Sequence, residues 1–110
     1  MGTYRVFTGT DGESHIEDLD LASRPELSSM TNVTEVRVAH HEELRDMGFH
    51  SLTERRLIIH MSGEVEIGFG DGTNHIFRAG DARLMEDTTG RGHTHRDINP
   101  NTATLILLKD

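Results

Sequence analysis

From Val33 to the end of the chain, apolar and polar residues alternate with a period of two, the pattern of half-buried strands. In "NVTEVRVA" (Asn32 to Ala39), Thr34, Val36 and Val38 fall on one side and Val33, Glu35 and Arg37 on the other. "RLIIHMSGEVEIGFGDG" (Arg56 to Gly72) reads as a strand, a Ser-Gly break, a second strand and a Gly-Asp-Gly turn. "NHIFRAGDARLME" gives a strand, an Ala-Gly-Asp turn and another strand, and "TATLILLKD" is a more continuously apolar strand. Turn signals at intervals of about eight to twelve residues predict an all-β sandwich or barrel. Only "HHEELRDMG" (His40 to Gly48) offers a helical alternative, a turn or two stopped at Gly48, and a charged loop fits it equally well. "LASRPELSSMTN" is polar and turn-rich, and is expected to cross the surface between an N-terminal strand and the main body.

Composition narrows the classes of function. The 110 residues suffice for one domain. Nineteen Asp and Glu against eleven Lys and Arg leave a formal charge of −8, which argues against a nucleic-acid backbone or an anionic membrane as partner. There is no basic cluster and no aromatic stacking platform. The absence of cysteine removes disulfides, thiolate metal sites and cysteine nucleophiles. With no apolar leader and no apolar run of membrane-spanning length, the expected location is the cytoplasm.

The chemistry concentrates in histidines. "GRGHTHRDI" (Gly90 to Ile98) holds His93 and His95, which share a face if the segment is extended. Parity also puts Arg56, Ile58 and His60 on one face of their strand. No serine sits at a strained elbow, so a Ser-His-Asp triad has no support, and "DTTGRGH" lacks the lysine and length of a phosphate-binding loop. Its glycines suit a turn at a barrel mouth, where Thr88, Thr89 and Arg91 could touch a ligand. His40 and His41 are expected to be solvated, and His75, beside the Gly-Asp-Gly turn, to be exposed.

The order strand, "SGEVEI", "GDG", "FRAGD", strand, "GRGH" resembles the cupin superfamily of small jelly-roll β-barrels (RmlC-like) over residues 33 to 108. "DGESHIED" (Asp11 to Asp18) and "EDTTGRGH" (Glu86 to His93) make it most similar to a group of short, single-domain bacterial cupins. The resemblance implies a barrel over residues 33–110. It also implies an N-terminal extension over residues 1–32 with a short strand, around His15 and Glu17, that roofs the barrel or builds a homodimer.

The usual cupin metal motif, laid back from Gly63, places Arg56 where the carboxylate ligand belongs, His50 at one histidine position and Leu52 at the other. The second motif supplies His93. A rebuilt site of His50, His93 and His60 is the expectation for one divalent transition metal, Zn, Fe, Ni or Cu. Arg56 opposes a dication there and asks instead for an anion: a substrate carboxylate or phosphate, or an internal Glu86, Asp97 or Glu17. Arg56, His60 and His95 are the candidate catalytic residues. The leading functional expectation is an enzyme of isomerase, lyase or cyclase type acting on a small anionic or carbonyl-containing molecule, with a metal as Lewis acid if one is bound. The alternatives are a non-catalytic barrel for a small ligand and an Fe(II) dioxygenase.

Overall fold

The alternation is realised as ten strands in a computed structural model that describes residues 1–109. They are β1 (Thr3–Thr8), β2 (Ser14–Asp18), β3 (Val33–His41), β4 (Asp46–His50), β5 (Arg56–Ser62), β6 (Val65–Gly68), β7 (Asn74–Phe77), β8 (Ala82–Met85), β9 (His93–Asp97) and β10 (Asn101–Leu108). Six of them form one sheet in the order β2-β1-β8-β5-β10-β3, and four form a second in the order β4-β9-β6-β7. The pairings are antiparallel except β1 with β8, which run parallel in the register Thr3↔Ala82 to Val6↔Met85. This is an all-β jelly-roll barrel. No helix among the described residues is long and apolar enough to cross a membrane.

Alternation decides what fills the interior. Val6, Ile58, Met85 and Ala103 from the larger sheet meet Val65, Ile67 and Phe77 from the smaller one in a single apolar cluster. Each such side chain, fully buried, contributes about 1.5–3 kcal/mol. Polar inward positions of the same strands, His60, Arg83 and Arg56 among them, adjoin this cluster, and there the barrel stays hollow.

Two local expectations are corrected. His40 and His41 end β3, paired with Thr102 and Asn101, and β4 begins at Asp46. Sheet pairing on both sides leaves only residues 42–45 for the connection, so neither a helix nor a long loop forms across His40 to Gly48. His75 is not exposed but half-buried, its ring 4.5 Å from both Tyr4 and Phe77, because β1 brings Tyr4 over it.

Residues 1–32 contribute two strands rather than one, both inside the larger sheet. The connection from β2 to β3 holds two short 3-10 turns, Leu21–Ser23 and Pro25–Ser28, the first capped by Asp20. Arg24 ties this connection to the outer face through Glu86, whose carboxylate also takes Arg5 and Arg55 at 2.6 to 2.9 Å. Leu84 faces outward beside Leu57, yet is completely buried, so the sheet is covered on both sides at that point. Further along the same outer face Val36, Val38, Ile59 and Met61 remain exposed.

Candidate functional site

The hollow part of the barrel is a cavity of about 140 Å³. His50, Arg56, His60, His93 and His95, all singled out from the sequence, border it. So do three residues that the sequence reading did not place there: His41, Arg45 and Arg83. His41 closes β3 on the inward side and is only half-exposed, which corrects its expected solvation. His40, one residue back, does face solvent.

Two histidines of β9 are each held by a carboxylate. His93 Nδ1 lies 2.5 Å from Asp87 Oδ2, and the same oxygen accepts from the Ser14 hydroxyl at 2.7 Å. All three residues are buried. Ser14 bonds the carboxylate and not the imidazole, so the group is no nucleophilic triad. It fixes the ring and leaves Nε2 without a partner among the described residues. The loop can reach this position because Gly92, at φ 82°, passes so close to the His50 carbonyl oxygen that a Cβ would collide with it. The His50 ring packs 4.7 Å from that of His93, with its Nδ1 turned to the Gly48 carbonyl at 2.8 Å.

His95 Nε2 sits 2.7 Å from Asp97 Oδ1, and Arg45 grips the same carboxylate with its backbone N–H, Nε and Nη2. Burial alone would raise the Asp97 carboxyl, but these hydrogen bonds hold it far below the ordinary range. Burial pushes the His95 imidazole down to about 4 despite the neighbouring carboxylate, so the ring is neutral near pH 7.

Arg83 has no such counterweight. It is 4 % exposed, donates from Nε to His60 Nε2 at 3.0 Å, and otherwise reaches only the Met85 sulfur. Its guanidinium carbon lies 5.3 Å from the centroid of the Phe77 ring. Burial, followed by the repulsion of Arg45, lowers it to about 9, still charged at neutral pH. Burial and then Arg83 lower His60 to about 3. A neutral His60 that accepts at Nε2 carries its proton on Nδ1, and that atom is buried with no partner. Arg56 Nε is buried and unpartnered too. The internal carboxylates expected for Arg56 are taken elsewhere: Glu86 by Arg5, Arg24 and Arg55, Asp97 by Arg45 and His95, and Glu17 by Arg5.

The donor set expected for a divalent metal does not assemble. No three His, Asp or Glu side chains stand in a metal-holding group among the described residues. His50 and His93 are neighbours, but His60 gives its Nε2 to Arg83, and the buried guanidinium sets a positive charge where a cation would have to enter. His15, from the "SHIED" element, pairs with Asp11 at 2.9 Å outside the cavity. Arg91, from the mouth loop, pairs with Glu13 and stacks on Phe49.

These features define a class: a small all-β jelly-roll barrel with a cation-lined hollow. A DUF861 family protein from Thermotoga maritima shares the fold, with a TM-score of 0.51 at 16 % identity over 86 % of this chain and 98 % of that one. A Neisseria meningitidis protein aligns at 18 % identity over 84 % of this chain and all of its own, with a TM-score of 0.49. A putative ethanolamine utilization protein Q from Salmonella typhimurium aligns at 12 % identity over 98 % and 95 %, with a TM-score of 0.46. No protein-family model and no curated protein matches the chain.

Proposed function

We propose that this barrel, of the short single-domain cupin kind, captures a small anionic molecule between Arg56 and Arg83. One observation carries the reading: a buried guanidinium, Arg83, that no carboxylate pairs among the described residues. An isolated charge in a protein interior is destabilising by several kcal/mol unless something compensates it. A bound anion supplies that compensation. Thermal unfolding of wild type and Arg83→Met, with formate, sulfate, phosphate and chloride as probes, tests it. Saturable stabilisation of the wild type by at least one anion, absent in the variant, is expected. Indifference of the wild type to every anion would remove the reading.

Catalysis on that anion is a second reading, favoured by the Ser14–Asp87–His93 chain. A carboxylate that orients one imidazole nitrogen and leaves the other towards a cavity suits proton transfer of the isomerase or lyase kind. His95 and His60 are too weakly basic for that step and serve as hydrogen-bonding wall. Pairing of two copies belongs to the same proposal. The free edge of β3 carries Glu35 and Arg37, and an antiparallel second copy centred on Val36 would set each opposite the other's counterpart, beside exposed Val36 and Val38. Sedimentation equilibrium checks this; a monomer at the highest soluble concentration would exclude it.

A further inference from the structure

Resting on the anion reading above, we infer that the ligand is a small monocarboxylate with a short apolar body, its carboxylate held by Arg83 and Arg56 and its body against the apolar residues of the wall.

Four observations converge on this class. The first is the sign of the free hydrogen-bonding groups. Arg83 donates to His60 Nε2, which forces the His60 proton onto Nδ1, and both His60 Nδ1 and Arg56 Nε are buried without partners. Every group named here can only donate, a surplus of donors that favours an acceptor, and an ionised acid is the strongest acceptor available.

The second is the charge balance of the wall. Arg45 is neutralised by Asp97, and Arg83 and Arg56 are positive. The buried Asp87, whose Oδ1 also has no partner among the described residues, brings a negative charge that Arg83 feels. The surplus is about one positive charge. A single negative charge completes it, and a dianion such as phosphate would meet Asp87 as well as the full desolvation of its second charge.

The third is the rest of the lining: Leu52, Ile58, Val65, Met85, Ala103 and Leu105 offer nothing to a polar body. The fourth is size. A cavity of about 140 Å³ is close to the roughly 150 Å³ apolar cavity that takes up benzene, so about six heavy atoms fill it, a carboxylate with about three carbons beyond it.

The test is a titration by calorimetry and thermal shift with butyrate and benzoate, with butyramide as the neutral isostere and sulfate and phosphate as compact oxyanions. Butyrate should bind saturably, and the larger benzoate, butyramide and sulfate should bind at least tenfold more weakly. Arg56→Gln should weaken butyrate by roughly ten- to a hundredfold, the effect of a lost charge-assisted hydrogen bond. Ala103→Leu, which takes up cavity volume and leaves the arginines in place, should exclude butyrate and still admit formate. If sulfate or phosphate binds as well as butyrate, the monocarboxylate class is wrong while the anion pocket stands. If formate binds but neither longer acid improves on it, the apolar body is wrong. Should none of the probes bind, both this inference and the reading beneath it fall. The two substitutions lie outside the Arg83–His60 pair, so misfolding of an Arg83 variant does not decide the outcome.

Discussion

Replacing Arg83 by Met should make the ligand-free protein more stable while removing its response to anions. The magnitude follows from the site. Burial lowers the guanidinium far below its ordinary value, to about 9, which corresponds to about 5 kcal/mol of unfavourable free energy at pH 7. The sign is that of a base depressed by folding. The unfolded chain binds the extra proton, so the penalty is fully present below pH 9 and fades as pH rises above it. Met keeps most of the apolar volume and deletes the charge. It also strips His60 Nε2 of its donor, which costs about 1–3 kcal/mol, and removes a cation–π contact with Phe77 worth about 0.5–1 kcal/mol. The balance is a gain of about 1–3 kcal/mol, or a rise in Tm of at least ~4 °C for a domain of this size. Calorimetry at pH 7 in a buffer poor in small anions measures it directly, and circular dichroism confirms that the fold persists. A variant that folds but is less stable than wild type by more than about 1 kcal/mol would refute the reasoning. It would mean that the guanidinium is already balanced within the chain.

Other consequences are open to measurement. His60 and His95 fold with pKa values of about 3 and about 4 against an ordinary 6.5, so the unfolded chain gains about two protons that the folded one refuses. Stability should therefore fall by up to about 2.7 kcal/mol per pH unit from pH 6.5 down to 4, a slope that urea titrations at several pH values would reveal and that His95→Gln should roughly halve. Glu86, held at about 2 by three arginines against its own burial, gives stability that is present above pH 4.5 and lost towards pH 2; Glu86→Gln should cost about 2–3 kcal/mol at pH 7 in chemical denaturation. Asp87→Asn should release the His93 ring, seen as altered tautomer signals in imidazole nitrogen NMR; an unchanged spectrum would mean that Asp87 does not set the proton position. Gly92→Ala should lower Tm by several degrees, because the methyl group must displace the His50 carbonyl; a neutral result would show that the loop yields freely.

Much of the barrel was legible because its signals are local. A period of two and the glycine turns at Gly63, Gly72 and Gly80, all with positive φ, mark β5 to β8 without reference to anything distant. The same parity brought Arg56, Ile58 and His60 to one face, and His93 and His95 to another. Arg83 escaped for a physical reason. In "ARLM" the alternation suggests an inward Leu84 and an outward Arg83, and the reverse is true. Leu84 is completely buried on the outer face, beside the Glu86 to which the connection's Arg24 is tied, while Arg83 turns in. A strand buried on both sides loses the contrast that parity depends on. His41 and His75 were misplaced by the same kind of long-range event, a pairing with β10 and a lid from Tyr4. Asp87 lay in view within "EDTTGRGH", but only the closure of that loop turns it towards His93.

The parallel pairing of β1 with β8 sets an order of events during synthesis. β1 and β2 are a local hairpin, adjacent in sequence, with Val6, Ile16 and Phe7 among its side chains. The strand that completes their neighbourhood, Ala82–Met85, is made some 76 residues after Val6, a delay of roughly 4–15 s at ordinary elongation rates. Through that interval both edges of the hairpin are unpaired, and the Arg5 clasp has no Glu86 to close upon. Acidic residues crowd its flank in "DGESHIEDLD", the kind of charge that blunts an open sheet edge.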